Sequence, residues 1–320
     1  MKALVQDRYG NPDVLELRDV ARPAPGAGEV VVRVHAAGVD PGVWHLTTGL
    51  PYLLRLLGFG LRAPKNPVRG LDFAGTVEET GDGVTKFRAG DEVFGTCEGA
   101  FAEYAVARED RLAPKPARLS FEQAAAVPVS GCTALQGLRD AGRVRPAQSV
   151  LVIGAAGGVG SFAVQLAKSA GAEVTAVCST AKTDLVRALG ADHVVDYTRS
   201  DFASAQYDLV LDTAGLRALG SLRRALTPGG TLVIIGGEGG RWLGGVQRVF
   251  RAALLTPFVR HRLRGLVSAV RGTDLEELRK TIEAGRLTPL LDRTYPLADA
   301  VAAIEYVHKG HSAGKVVLTV

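Results

Sequence analysis

At 320 residues the chain suffices for two domains of roughly 150 residues each, and a 47% hydrophobic content suits packed cores. The formal charge of +5 comes from arginines spread along the chain, without a basic run interleaved with aromatics, so dedicated nucleic-acid binding is not expected. No long apolar run free of charge suggests a transmembrane segment, MKALVQDRYG lacks a signal peptide's apolar region, and Cys97, Cys132 and Cys178 are too few and too scattered for a disulfide framework or a four-cysteine zinc lobe; a cytoplasmic protein is expected.

The first 120 or so residues read as β-rich, with alternation in Glu29–Val34 and Ala74–Glu78 and turns at Gly81-Asp82-Gly83 and Gly90-Asp91. Within them, 53–69 mixes leucines and Phe59 with Arg55, Arg62, Lys65 and Arg69, the pattern of a lid with cations or of a surface helix. From Ser149 strands and helices alternate, and six apolar strands are expected at 149–153, 173–178, 193–195, 207–212, 231–235 and 266–270. Short apolar runs flanked by helices predict a doubly wound, parallel Rossmann sheet that binds ligands at the carboxyl ends of its strands, where Asp212, Thr213 and Gly236 lie. A last helix at 275–283, an extended run at 290–295, a helix at 298–307 and a strand at 315–320 follow. The terminal strand needs a sheet to join, and the N-terminal β domain is the expected host. The expected division is 1–121, 122–286 for the dinucleotide-binding domain, and 287–320 returning to the first.

The segment SVLVIGAAGGVG, Ser149 to Gly160, joins the first of these strands to a glycine turn and a helix expected to begin near Ser161. Small residues in such a turn let the backbone bend and let a pyrophosphate approach the positive end of the helix. The frame is A-x-G-x-x-G, with Ala155, Gly157 and Gly160 in its fixed positions and Gly158 and Val159 between. At the end of the second strand no Asp or Glu stands where NAD would need a ribose ligand. Ser179, Thr180 and Lys182 instead suit a 2′-phosphate, so NADPH is the expected cofactor.

These features, in order, resemble the medium-chain dehydrogenase/reductase superfamily, within its zinc-free NADPH quinone oxidoreductase and enoyl reductase branch. The resemblance rests on AAGVD (36–40), GLDFAGTV (70–77), GDEVFG (90–95), AFAEY (100–104), VPVSGCTA (127–134), GAAGGVG (154–160), LGADHVVDY (189–197) and GKVVL (314–318). It implies an α/β chain in which a GroES-like β-rich domain and the Rossmann domain enclose a catalytic cleft, working as a homodimer. It further implies hydride transfer from NADPH to a quinone or an activated C=C acceptor. The alternatives are a zinc-free alcohol or aldehyde oxidoreductase and a noncatalytic NADPH-binding protein.

Zinc alcohol dehydrogenases of the superfamily hold their metal with a Cys and a G-H-E motif. Here Asp40 stands at the Cys position and Leu71-Asp72 replaces His-Glu, while Asp40, His45 and Asp72 form no known ligand spacing, so no metal is expected. By the same resemblance Thr133 touches the nicotinamide or its ribose, with Ser130 on the same turn. Tyr197 packs near the 2′-phosphate, Lys315 lies close to the cofactor, and Asp40 departs from a frequent Asn and is expected to orient a ribose or backbone group. The segment 44–52 is placed at the cleft mouth, with Tyr52 the first choice and His45 the second for a group that donates to the substrate. Finally, 241–271 joins apolar residues including Trp242, Phe250 and Phe258 to Arg248, Arg251, Arg260, Arg262 and Arg264. It is read as a pocket wall or subunit interface, as packing on the sheet, or, more weakly, as a peripheral membrane contact.

Overall fold

The alternation noticed at 29–34 belongs to a longer strand. In the computed structural model, which describes residues 1–237 and 240–320, β1 (Lys2–Val5) and β2 (Glu16–Asp19) form a small antiparallel ribbon. They are followed by β3 (Glu29–Val39), β4 (Asp72–Thr80), β5 (Glu92–Thr96), β6 (Tyr104–Arg108) and β7 (Leu112–Pro114). β3 pairs antiparallel with β4 and β6, and its inward residues Val30, Val32 and Val34 meet Phe73, Phe101 and Ile304 in the core of this unit.

Residues 149–265 supply β8 (Ser149–Ile153), β9 (Glu173–Cys178), β10 (His193–Asp196), β11 (Tyr207–Asp212), β12 (Leu226–Ile234) and β13 (Arg262–Gly265). All are parallel, in the order β10-β9-β8-β11-β12-β13, the doubly wound arrangement expected. Val150, Leu151 and Val152 of β8 are fully buried, as a central parallel strand covered on both faces requires. The sixth strand, however, is Arg262–Gly265 and not the expected 266–270. Only Leu263 of its four residues is buried, and two arginines disguise an edge strand that has a single neighbour.

The chain then gives β14 (Leu291–Pro296) and β15 (Lys315–Thr319). β15 pairs antiparallel with β3, so the terminal strand joins the N-terminal sheet as expected. Contacts group Met1–Cys132, Ala269–Gly285 and Pro289–Val320 as one unit and Thr133–Ser268 with Arg286–Thr288 as the other. The helix Gly272–Glu283, expected within the nucleotide domain, thus belongs to the first unit, where it packs against β7.

The stretch 241–271 has two apolar faces where one was expected. On the helix Val246–Leu255 and the turn after it, Val249, Ala252, Leu255 and Val259 pack into the second unit's core, whereas Val246, Phe250, Leu254 and Phe258, at four-residue spacing, are exposed. No helix among the described residues is long and apolar enough to cross a membrane.

Candidate active site

In the first unit, sheet register gathers charge at one end of three adjacent strands. Val39 pairs with Val316 and Gly38 with Asp72, which brings Asp40, Asp72 and Lys315 together although the chain separates them widely. Gly38 permits this approach, since a Cβ there would lie 2.6 Å from the Ala125 carbonyl and 2.9 Å from Asp72 Cβ. Lys315, 2% exposed, donates through Nζ to Asp40 Oδ1 at 2.5 Å and to Asp72 Oδ2 at 3.2 Å. Ser130 Oγ donates to Asp40 Oδ1 at 3.3 Å, and the Val129 N–H donates to Asp72 Oδ1 at 3.0 Å.

Two carboxylates share one ammonium in a site closed to water, so they do not titrate alike. Burial, and then the charge of Asp40, push Asp72 well above the usual carboxylate range. Burial acts on Asp40 in the same sense, but the Lys315 ammonium and three hydrogen bonds outweigh it and hold Asp40 below that range. The same two carboxylates keep Lys315 raised despite its burial. Asp40 Oδ2 is buried and has no hydrogen-bond partner among the described residues.

Lys315, expected beside the cofactor, is therefore committed to Asp40 and Asp72, and Asp40 faces a side-chain cation where a ribose or backbone group was expected. Zinc does not suit this donor set, because the ammonium already bridges the two carboxylates, and no three His, Cys, Asp or Glu side chains converge among the described residues.

His45 lies on the helix Pro41–Thr48 that Asp40 precedes. Its Nδ1 is 2.9 Å from the Leu50 carbonyl, which only accepts, so Nδ1 donates its hydrogen there. Tyr52 opens a short helical turn, with the Arg55 guanidinium 4.9 Å from its ring centre. The neighbouring Trp44 stacks on His308 at 3.5 Å.

In the second unit the glycine turn is built from backbone. Gly154 adopts a φ of 80°, Gly157 is the N-cap, and the helix runs Gly158–Ser169, starting earlier than the expected Ser161. No side chain caps it, so the N–H groups of its first turn, at Gly158, Val159 and Gly160, remain available to a ligand. Gly160 is demanded by packing: a Cβ there would lie 2.1 Å from the Gly154 carbonyl and 2.7 Å from Ala155 Cα. Ala155 is wholly buried, which explains why the first frame position carries a methyl. This cradle fits a dinucleotide pyrophosphate.

Around the turn, Thr213 Oγ1 donates to the Ile153 carbonyl at 2.7 Å, and a Cβ on Gly236 would come 2.3 Å from the Thr213 carbonyl. Asp212 is buried, accepting from the Gly215 N–H at 3.0 Å and from Arg248 Nη2 at 2.6 Å. The sequence groups Arg248 with the other arginines of 241–271 and gives no sign of this buried partner. Thr133 is buried in the helix Pro128–Gln136.

Ser179 leads into the turn Thr180–Lys182, in which Lys182 is half-buried. Here the structure adds an acid that position along the chain had hidden. β9 and β10 align Cys178 with Asp196, and Asp196 accepts from Thr180 Oγ1 at 2.5 Å and from Thr198 Oγ1 at 2.7 Å. These hydrogen bonds keep its carboxyl below the ordinary range. Tyr197, 48% exposed, lies 5.3 Å from the guanidinium of Arg217, another residue without a sequence signal.

Comparison with known proteins agrees with this architecture. Residues 26–117 match the alcohol dehydrogenase GroES-like domain family, and residues 189–318 the zinc-binding dehydrogenase family. The 2-methylene-furan-3-one reductase of Solanum lycopersicum is 33% identical, over 99% of this chain and 79% of that protein. The chloroplast envelope quinone oxidoreductase homolog of Arabidopsis thaliana is 31% identical, over 99% of this chain and 98% of that protein. The chain belongs to the medium-chain dehydrogenase/reductase superfamily, in its quinone oxidoreductase and enoyl reductase branch. The structure of the quinone oxidoreductase from Coxiella burnetii superposes with a TM-score of 0.88 at 30% identity, covering 100% of this chain and 99% of that one. The protein is thus an oxidoreductase of this superfamily, with the GroES-like and Rossmann parts that the sequence predicted and a nicotinamide cofactor.

Proposed function

We propose that this protein reduces a quinone or an activated C=C bond with hydride from NADPH and without a metal ion. The observation that carries the reading is the Lys315 ammonium lodged between Asp40, at the position of the zinc-binding Cys, and Asp72, in the segment that replaces G-H-E. A site arranged in this way offers no Lewis acid for a simple ketone, whereas a conjugated acceptor takes hydride without one. Bound NADPH supplies the hydride; the chain supplies the uncapped turn at 157–160 for its pyrophosphate and a closed cluster in which Lys315 holds Asp40 and Asp72.

Tyr52 is the group proposed to donate to the developing oxyanion, with His45 held in one tautomer by Leu50. Ser130 and Thr133 are assigned to the nicotinamide side. Ser179, Lys182 and Tyr197 are assigned to the 2′-phosphate, with Arg217 added. A homodimer is part of the reading and is supported by the exposed stripe Val246, Phe250, Leu254 and Phe258, which a peripheral membrane contact would also cover. So is cytoplasmic residence, for which the three free thiols speak.

Reduced-nicotinamide oxidation, followed with a panel of quinones, enones and aldehydes in the presence of a chelator, tests the proposal. Turnover confined to quinones or enones is expected; chelator-sensitive aldehyde reduction overturns it. Asp196 favours a second reading, in which its carboxylate binds the ribose hydroxyls of NADH. The variant Ser179→Asp/Lys182→Ala decides between them. A reversed NADPH to NADH preference supports the phosphate site, and an unchanged ratio points to Asp196.

A further inference from the structure

The first unit also contains a buried cation that has no carboxylate partner among the described residues. Arg69 is 6% exposed, and its backbone is pinned to the ribbon because its N–H donates to the Leu4 carbonyl. Its guanidinium donates through Nη2 to the Asn66 carbonyl, while Nε is buried and has no partner among the described residues. Tyr9 and Glu98 act on it only through space, and burial works against its charge. A guanidinium stays ionised in proteins, so an unpaired one at this depth calls for an explanation.

Arg69 forms part of the wall of a cavity of about 360 Å³. Leu46, Leu57, Phe59 and Leu71 give this wall an apolar surface, and Lys65 adds a second cation. Glu98 is the one carboxylate among the described lining residues, which leaves the wall one positive charge in excess. Part of the wall is fixed from below: Tyr9 Oη shares its hydrogen between the Phe59 carbonyl at 2.9 Å and the Gly60 carbonyl at 2.8 Å, and the Arg55 guanidinium lies 4.3 Å from the Tyr9 ring centre. Leu57, 65% exposed, borders solvent.

We propose that this cavity binds a small amphipathic monocarboxylate, its carboxylate on Arg69 and its apolar body against Leu46, Phe59 and Leu71. An excess of one positive charge selects a monoanion, and the leucines and phenylalanine exclude small hydrophilic acids. The site uses only residues of the first unit and goes beyond the redox reading, so a failure of either leaves the other standing.

Calorimetric titration of the intact protein with octanoate, and separately with octanol as its uncharged counterpart, tests it. Octanoate is expected to bind saturably and roughly tenfold or more tighter than octanol. Arg69→Gln should erase that preference while circular dichroism remains native. Leu57→Glu, at an exposed position that the fold tolerates, should weaken octanoate by about tenfold through like-charge repulsion and affect octanol less, and this arm decides alone if the Arg69 variant does not fold. Absent octanoate binding, equal affinities for the two probes, or an octanoate affinity indifferent to Leu57→Glu overturns the proposal.

Discussion

The glycine turn of the second unit and the charged cluster of the first are built in opposite ways. The turn uses one continuous segment, with backbone N–H groups as its working parts and the lack of side chains as its specification. The cluster uses side chains from four segments: sheet register brings Asp40, Asp72 and Lys315 together, and Ser130 reaches Asp40 from a helix. A site made of backbone depends on the local chain; one made of buried charges depends on every partner at once. Substitutions should therefore separate the two.

The largest effect is expected from Lys315→Met, which leaves two carboxylates buried without their cation. Loss of about 3–5 kcal/mol in urea denaturation is expected, and a triple variant that also carries Asp40→Asn and Asp72→Asn should recover most of it. A recovery of less than half would mean that the ammonium has packing duties beyond charge. Next comes Gly160→Val: fluorescence titration should show cofactor affinity falling roughly 100-fold, because the added carbons collide with the Gly154 carbonyl. If affinity survives, the turn is not the phosphate seat.

The cluster alone should also give stability a pH dependence. Asp72 has a raised folded value, so the native state holds its proton more tightly than the unfolded chain does. Its contribution is fully present below the unfolded value of about 3.9 and is lost as pH rises through the raised one. Asp40, with a lowered value, works in the opposite sense at the acid end, losing its contribution as pH falls. Asp72→Asn should flatten the decline on the alkaline side of pH 4 or so, and an unchanged profile would refute the raised Asp72 value. The smallest effect belongs to Ala155→Gly, which restores the strict glycine frame: about 1 kcal/mol of stability lost with a buried methyl, and cofactor affinity unchanged.

The same contrast explains what the sequence made legible. The strand–turn–helix at Ile153 to Gly160 is legible because its signal is local, although the helix begins earlier than an apolar pattern suggests, its first residues being glycines. The positions of the nucleotide-unit strands follow from apolar runs, except that one begins earlier, at Leu226, and the sixth is Arg262–Gly265, where an edge strand alternates arginine with leucine. Asp40 and Lys315 were each singled out, but not as partners, since nothing in either segment names the other. Arg248 stands among the arginines of 241–271 without a partner named, and Arg217 and Asp196 carry no signal, for the same reason: their partners come from other elements of the second unit. Arg69 stood out as one basic residue among several, and only burial distinguishes it.

β15 has a consequence for how the polypeptide comes off the ribosome. The second unit is almost one uninterrupted stretch and has all of its strands once Gly265 is made, whereas the first must wait for Lys315. Until then, Asp40 and Asp72 belong to a nascent sheet without its neutralising strand. The order of synthesis therefore favours completing the nucleotide unit before the unit that opens the chain, the reverse of simple N-to-C succession.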